Sequence, residues 1–450
     1  MTQTLPATET PEILATRLAD ARARTDEIFA RLTPEALYER PIAERHRLVF
    51  YLGHLEAFDG NLLRQAYGLA PFHPDYDKLF AFGIDPTDGG LPNEPASAWP
   101  RPEPILAYNA RLRAAADECV AGVRAIRPEF DAATIFNMAI EHRLMHAETL
   151  AYLLHQLPYG MKRGVPDAPI PGAQAPPAPP GQKGAGTASR PIHIPAGSAT
   201  LGRDRRSGRF GWDNEFESSV RAVPEFSIDE QKVTNGRFLE FVQAGGYDQR
   251  GFWSDENWAW KERHGIRHPS FWVPGTGATW LTRGMFTEQA LSHDSPVFVS
   301  HAEASAFAKW AGRSLPTEAQ FHRAAYGTPS GGEREYPWGD APPRDVHGNF
   351  DLRRWGPTPV GSFPEGKSAF GVGELVGNGW EWTSSVFEPF AGFAPHPLYA
   401  GYSADFFDGK HYVMKGGSHR TAASMLRRPF RNWFQPRYPY VYATFRTVGP

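Results

Sequence analysis

Residues 164–190 set the strongest limit on how this chain can fold. The stretch begins Gly164-Val-Pro-Asp-Ala-Pro-Ile-Pro and continues in Ala, Pro, Gly and Gln up to Arg190. It offers almost no side chain that could enter a core, and its prolines and glycines favour extended or freely turning backbone, so it reads as a linker. The 450 residues therefore divide into an N-terminal part, 1–163, and a C-terminal part, 191–450. Both are long enough to build a core of their own.

The two parts differ in character. Segments 11–32, 42–67, 102–126 and 131–157 are rich in Ala, Leu, Arg and Glu with apolar residues at helical spacing, and four such segments pack most simply as a bundle. The connection 71–102 is long for a bundle; its aromatic residues, Phe80 and Phe82 among them, predict an ordered loop lying over a pocket. Beyond residue 190 the pattern turns to short β-like runs, Ile192-His-Ile-Pro, Val220-Arg-Ala-Val, Phe226-Ser-Ile-Asp and Tyr412-Val-Met-Lys. Two helical patterns interrupt them, after Thr234-Asn235 and from Ser300 to Trp310. Most of the 13 Trp lie in this part, which predicts an α+β domain with much irregular loop.

Chemistry enters at His142-Arg-Leu-Met-His146. Ile135, Met138, Ala139, Met145, Leu150, Leu153 and Leu154 recur at helical spacing, and both histidines fall on or beside that stripe. One helical turn brings such side chains close enough to share an ion. The plainer alternative is a pair of hydrogen-bonded core histidines. A third histidine, His54, sits beside the apolar face of another helical pattern. Three imidazoles leave coordination positions open, which suits a catalytic Zn(II) or a mononuclear Fe(II) better than a closed structural site. Glu148 is a candidate acceptor to orient a ligand histidine, or simply a solvent-facing glutamate.

Composition excludes several classes. A net charge of −3 gives no basic field for nucleic acid or an anionic membrane. No apolar run approaches the ~18–20 residues needed to span a bilayer, and the N-terminus lacks the basic and apolar regions of a secretory signal, so a cytoplasmic location is expected. A single cysteine, Cys119, rules out an intramolecular disulfide and a Cys-rich zinc site, and its Ala-rich helical setting assigns it to packing.

The C-terminal part carries an ordered series: Val233-Thr-Asn, Pro296-Val, Arg313-Ser-Leu-Pro-Thr-Glu-Ala-Gln-Phe, Tyr336-Pro-Trp-Gly, Gly377-Asn-Gly-Trp380-Glu381-Trp382-Thr, Lys415-Gly-Gly-Ser and Phe445-Arg446. It resembles the domain of formylglycine-generating enzymes and sulfatase-modifying factors, a C-type-lectin-like fold, in which Trp380, Glu381, Trp382 and Arg446 are expected to hold the core. The N-terminal part, with His54, His142, His146 and Glu148, looks like a DinB-type four-helix bundle. The combination resembles the ergothioneine-biosynthesis sulfoxide synthases, non-heme iron enzymes that use O2 to join a sulfur donor to C2 of the hercynine imidazole. The resemblance implies Fe(II) on His54, His142 and His146. It places Asn432 and Trp433 at the positions that meet hercynine, and Tyr399 at the tyrosine that donates a proton or electron; Tyr402, nearby, is the alternative acid. Trp433 suits a quaternary ammonium through cation–π attraction, and Asn432 suits a carboxylate.

Three departures from that family concern the substrates. Where members using γ-glutamylcysteine carry an aspartate and an arginine after the Asn-Trp pair, this chain has Phe434 and Tyr438. Residues 71–100 contain no Arg and only Lys78. Met145 stands where many relatives have glutamine before the second helix histidine, in contact with the hercynine imidazole. An aromatic pocket short of cations suits a neutral sugar better than a dianionic peptide. The resemblance then points to the selenoneine synthases, which use a selenosugar donor, with Phe434, Tyr438, Tyr402, Phe80 and Phe82 as candidate pocket residues. The alternatives are a sulfur donor, cysteine or γ-glutamylcysteine, and, from another class, a non-catalytic binding module with a structural metal.

Overall fold

The computed structural model describes residues 9–81, 95–164, 189–277 and 279–450. Phe82 and nearly all of the expected linker, 165–188, lie outside them. The chain divides into two compact units, one of residues 1–166 with 208–210, the other of the remainder.

The first unit is helical: α1 Pro11–Ala30, α2 Leu48–Tyr67, a short α3 Pro74–Leu79, α4 Pro102–Val120 and α5 Ala132–Gln156. Its long helices start where the sequence supplies caps or prolines. Thr10 accepts from the Ile13 amide, Asp131 from the Thr134 amide at 2.8 Å, and Pro102 opens α4. Gly68, at φ 68°, ends α2 in the left-handed conformation that glycine adopts without strain. Helix α1 packs on α4 and α5, and α2 on α4 and α5, which makes the expected four-helix bundle. The start of α2 differs from expectation. Residues 42–47 fold back in turns, with the Leu48 amide donating to the Glu39 carbonyl and the Arg45 amide to that of Ile42, so the helix begins at Leu48. Helix α5 is buried on nearly every side from Ile135 to His155, and it is the central element of the unit.

The second unit contains strands β1 Pro191–Ile194, β2 Gly197–Leu201, β3 Ser219–Val223, β4 Phe226–Asp229, β5 Trp272–Pro274, β6 Trp280–Arg283, β7 Glu288–Ala290, β8 Trp380–Val386, β9 Tyr412–Lys415, β10 Asn432–Phe434, β11 Ala443–Thr444 and β12 Val448–Gly449. Helices α6 Asn235–Gln243, α7 Asp255–Arg263, α8 His301–Trp310 and α9 Glu318–Tyr326 are interspersed among them. Among the described residues four small sheets form, in the orders β1-β4-β12, β10-β9-β8-β11, β2-β3 and β5-β6-β7. One core joins Ile194, Phe226, Ile228, Phe321, Val372 and Leu375. Trp382 is buried, with its indole N–H donating to the Val299 carbonyl at 2.9 Å. The fold is thus a DinB-like helical bundle and a domain of the formylglycine-generating-enzyme type.

Candidate functional site

Helices α2 and α5 bring His54, His142 and His146 together. Their ring centroids lie 4.4 to 5.2 Å apart, and one nitrogen from each falls within 4.8 Å of the others. The His54 Nδ1–H donates to the Phe80 carbonyl at 2.7 Å, which turns Nε2 to the centre, where it has no hydrogen-bond partner among the described residues. The Nε2 atoms of His142 and His146 face each other at 3.1 Å, and two nitrogens of neutral imidazoles at that spacing suit a shared ion. Burial is the main reason that all three stay neutral. It lowers His54 to about 4 against the pull of the Phe80 carbonyl. It also holds His142 and His146 well below the ordinary value, helped by repulsion among the three and from Arg143. Neutral, convergent and otherwise unpartnered lone pairs are the donor set a transition metal takes.

Ring packing and a buried charge network hold these imidazoles. Phe58 stacks on His142 with centroids 3.5 Å apart, and Phe50 stacks on His54 at 4.8 Å. Next to His142, the fully buried Arg143 guanidinium turns toward α2. It bonds Glu56 through both terminal nitrogens and Asp59 at 2.9 Å. Arg113 of α4 donates to Glu56 at 2.8 Å and to Asp26 of α1 at 2.7 Å. Burial drives Asp59 up to about 6 against Arg143. Burial also pushes Glu56 up, but Arg143 and Arg113 outweigh it and hold that carboxyl below its ordinary value. All four long helices meet in this network, which fixes the α2–α5 spacing on which the three nitrogens depend. Nothing in the periodicity singles out Glu56, Asp59 or Arg143; three charged residues on helix faces ordinarily read as solvated.

Two expected roles are corrected. Phe80 does not line a ligand pocket. Its ring is fully buried among Phe50, Tyr76, Trp99 and Tyr108, and its backbone oxygen orients His54. Glu148, half-buried on α5, makes no hydrogen bond to the imidazoles, because Nδ1 of His142 and of His146 is unpartnered among the described residues and that of His54 is taken by Phe80. A carbonyl supplies the orienting contact expected of the carboxylate. Met145 is half-buried on α5 just before His146.

The glycine before His54 is part of this device. A Cβ on Gly53 would lie 2.5 Å from Phe80 Cδ2, so only glycine lets the Phe80 ring lie against α2. Gly53→Ala should cost ~1–3 kcal/mol through overpacking and, by shifting the carbonyl, lower metal affinity ~10–100-fold. Thermal unfolding of metal-free protein and metal titration read the two effects separately. Lost stability with unchanged affinity would deny the carbonyl an orienting role.

In the second unit, the expected substrate residues gather around β10. The Asn432 Oδ1 accepts from the Trp433 amide at 2.9 Å, which leaves its NH2 to donate. Trp433 lies face to face with Phe387, centroids 4.2 Å apart, and edge-on to Tyr402 at 5.4 Å. Phe406 approaches the same indole at 5.7 Å, tilted by 49°, so Trp433 sits within an aromatic cluster. Tyr399 and Tyr402 are 5.6 Å apart, and Tyr402 stacks on Trp212 at 4.1 Å. Phe434 stacks on Tyr438 at 5.1 Å and 14°.

Residues 177–449 match the sulfatase-modifying factor enzyme 1-like domain, and residues 17–150 match the DinB superfamily. The chain is 35% identical to a hercynine oxygenase of Mycolicibacterium smegmatis over 94% of its own length and 96% of the relative's. It is 34% identical to a hercynine oxygenase of Mycobacterium tuberculosis over 77% of each. Against ergothioneine biosynthesis protein 1 of Neurospora crassa it is 28% identical over 93% of its own length and 55% of that longer protein. With a three-histidine bundle followed by the sulfatase-modifying-factor domain, and with this identity over nearly the full length, the chain belongs to the hercynine oxygenase family.

Proposed function

We propose that the chain is a non-heme iron, O2-dependent selenoneine synthase, joining the selenium of a selenosugar to C2 of the hercynine imidazole. The observation that carries the donor assignment is the Phe434–Tyr438 stack, at the two positions that are aspartate and arginine in relatives using γ-glutamylcysteine. Two stacked rings offer no counter-charge to a dianionic peptide, and carboxylates left unpaired are costly to bury. A neutral sugar packs its C–H face on such rings and asks for no cation. One observation favours the sulfur donor: relatives named hercynine oxygenase match this chain over nearly its whole length.

Fe(II) held by His54, His142 and His146 would supply activation of O2, the acceptor of the electrons released. Forming the C–Se bond at the expense of C2–H and Se–H releases two electrons and two protons, and O2 takes up both. Asn432 donates through its NH2 to the hercynine carboxylate, and Trp433 attracts the trimethylammonium, an attraction of ~0.5–2 kcal/mol. Tyr399 acts as the positioned acid, with Tyr402 packed behind it.

The test is one aerobic reaction of iron-loaded protein with hercynine and equimolar selenosugar, cysteine and γ-glutamylcysteine, read by mass spectrometry. The selenium adduct should exceed the sulfur adducts at least ~10-fold, the preference that ~1.4 kcal/mol supplies. Predominantly sulfur adducts would overturn the donor assignment and leave a hercynine sulfoxide synthase. Protein that binds metal but consumes no O2 would instead be a binding module.

A further inference from the structure

We infer that Asp213 is a positioning residue for the proposed acid: with Ser403 and Trp212 it clamps the loop that presents Tyr399 and Tyr402. The inference rests on the role given to Tyr399 above. Residues 396–406 form successive turns. The Tyr399 amide donates to the His396 carbonyl at 3.0 Å, that of Tyr402 to Tyr399 at 3.2 Å and that of Phe406 to Ser403 at 3.0 Å. Each of these bonds is local to the loop and none of them ties it to the domain. A phenol on such a loop would wander unless side chains fixed it, and a displacement of about 1 Å at a reacting group can cost ~100-fold in rate.

Those side chains come from a segment about 190 positions earlier. Ser403, fully buried, donates its hydroxyl to Asp213 Oδ1 at 2.5 Å and accepts from Asn214 Nδ2 at 2.9 Å. One residue earlier on each strand of chain, Trp212 lies flat on Tyr402 with centroids 4.1 Å apart at 27°. Its indole also meets Tyr399 edge-on at 6.5 Å. The two segments are thus paired at consecutive residues, Trp212 with Tyr402 and Asp213 with Ser403. Burial raises the Asp213 carboxyl above the ordinary carboxylate range, and the bond from the Ser403 hydroxyl opposes the rise.

The platform beneath is itself anchored. Glu215 accepts from the Trp212 amide at 2.9 Å and from Arg427 Nε at 2.7 Å, and Arg431 donates to the Asn214 carbonyl at 3.4 Å. A buried carboxylate held this way is costly to keep if packing were its only use, since apolar residues of the same shape serve a core as well. Its bond to Ser403, the residue after Tyr402, gives the reason for it.

The test compares Asp213→Ala, the milder Ser403→Ala, Tyr399→Phe, and Asp213→Ala with Tyr399→Phe combined, all in the full chain. Hydrogen exchange of residues 396–406 in metal-free protein should accelerate about tenfold or more in Asp213→Ala and Ser403→Ala. In iron-loaded protein Asp213→Ala should lower kcat ~10–100-fold, with KM for hercynine within about twofold. The combined variant should be no slower than Tyr399→Phe alone, because a displaced phenol and an absent one are equivalent. Unchanged exchange in both single variants, or a full further loss in the combined variant, overturns the clamp. If Tyr399→Phe alone retains full turnover, the role of Tyr399 fails, and the exchange data still decide whether Asp213 holds the loop. Where Asp213→Ala does not fold, exchange in Ser403→Ala decides for or against the clamp.

Discussion

Replacing His142 with alanine is expected to leave the chain folded while metal content falls to background and turnover is lost by more than the ~10–100-fold that changes around a metal ligand cause. The metal-free bundle holds three neutral imidazoles against one another, with the Nδ1 atoms of His142 and His146 and the Nε2 of His54 buried and unpartnered among the described residues. Each such atom costs ~1–3 kcal/mol. Removing one imidazole therefore forfeits its stacking on Phe58 but also relieves an unsatisfied nitrogen and a close nitrogen pair. The two effects offset, so thermal unfolding of metal-free His142→Ala should shift by only a few degrees, less than the ~2–5 kcal/mol of ordinary large-to-small core substitutions implies. Iron analysis, thermal unfolding and O2 consumption on one preparation separate the outcomes. Iron retained at one per chain would mean that the three histidines are core residues, and a collapsed fold with no intact variant would mean that His142 serves packing first.

The same site shows what the sequence could carry. Helical spacing places His142 and His146 on one buried stripe and puts His54 on a second helix, because side-chain direction along a helix follows from residue number. Contacts between elements do not. Phe80 reads as a pocket residue because its aromatic loop is long for a bundle; its burial depends on α3, whose six residues fold under α2 and deliver a carbonyl to His54. One signal is available, Gly53 in mid-helix, where a glycine costs helix stability and so marks a close approach. Glu148 is suggested by its nearness in sequence to His146, yet the acceptor that orients His54 comes from 26 positions away. Asp213 and Ser403, 190 positions apart, carry no pattern that would pair them. In the C-terminal part the short strands are legible from their β-branched and aromatic runs, while the order β10-β9-β8-β11, with β11 parallel to β8, is a tertiary fact.

The second large effect is expected in the core of that sheet. Glu381 of β8 is fully buried and accepts from Lys232 Nζ at 2.6 Å, from Arg446 Nε at 2.6 Å and from Arg446 Nη2 at 2.7 Å. The guanidinium spends its remaining donors on the carbonyls of Asp229, Glu230 and Gly373, each at 3.0 Å. Burial by itself would raise the Glu381 carboxyl, but Arg446 and Lys232 outweigh it and hold it below the ordinary value. Glu381→Ala removes the carboxylate to which both buried cations donate, a defect that costs ~3–5 kcal/mol. For a domain of this size that is a fall of roughly 6–20 °C in its unfolding temperature. Replacing all three residues by apolar ones of similar volume should recover much of the loss, because the penalty lies in the unpaired charges more than in the missing contact. The consequence for function is transmitted through the sheet. Glu381 is in register with Lys415 of β9, and the next residues in line, Trp382 and Met414, continue to Asn432 of β10, so loosening β8 moves the strand that carries Asn432 and Trp433. Calorimetry of Glu381→Ala beside the triple variant checks the energetics. A single variant that shifts unfolding by no more than a surface substitution, about 0.5 kcal/mol, would show that the network adds nothing to the domain.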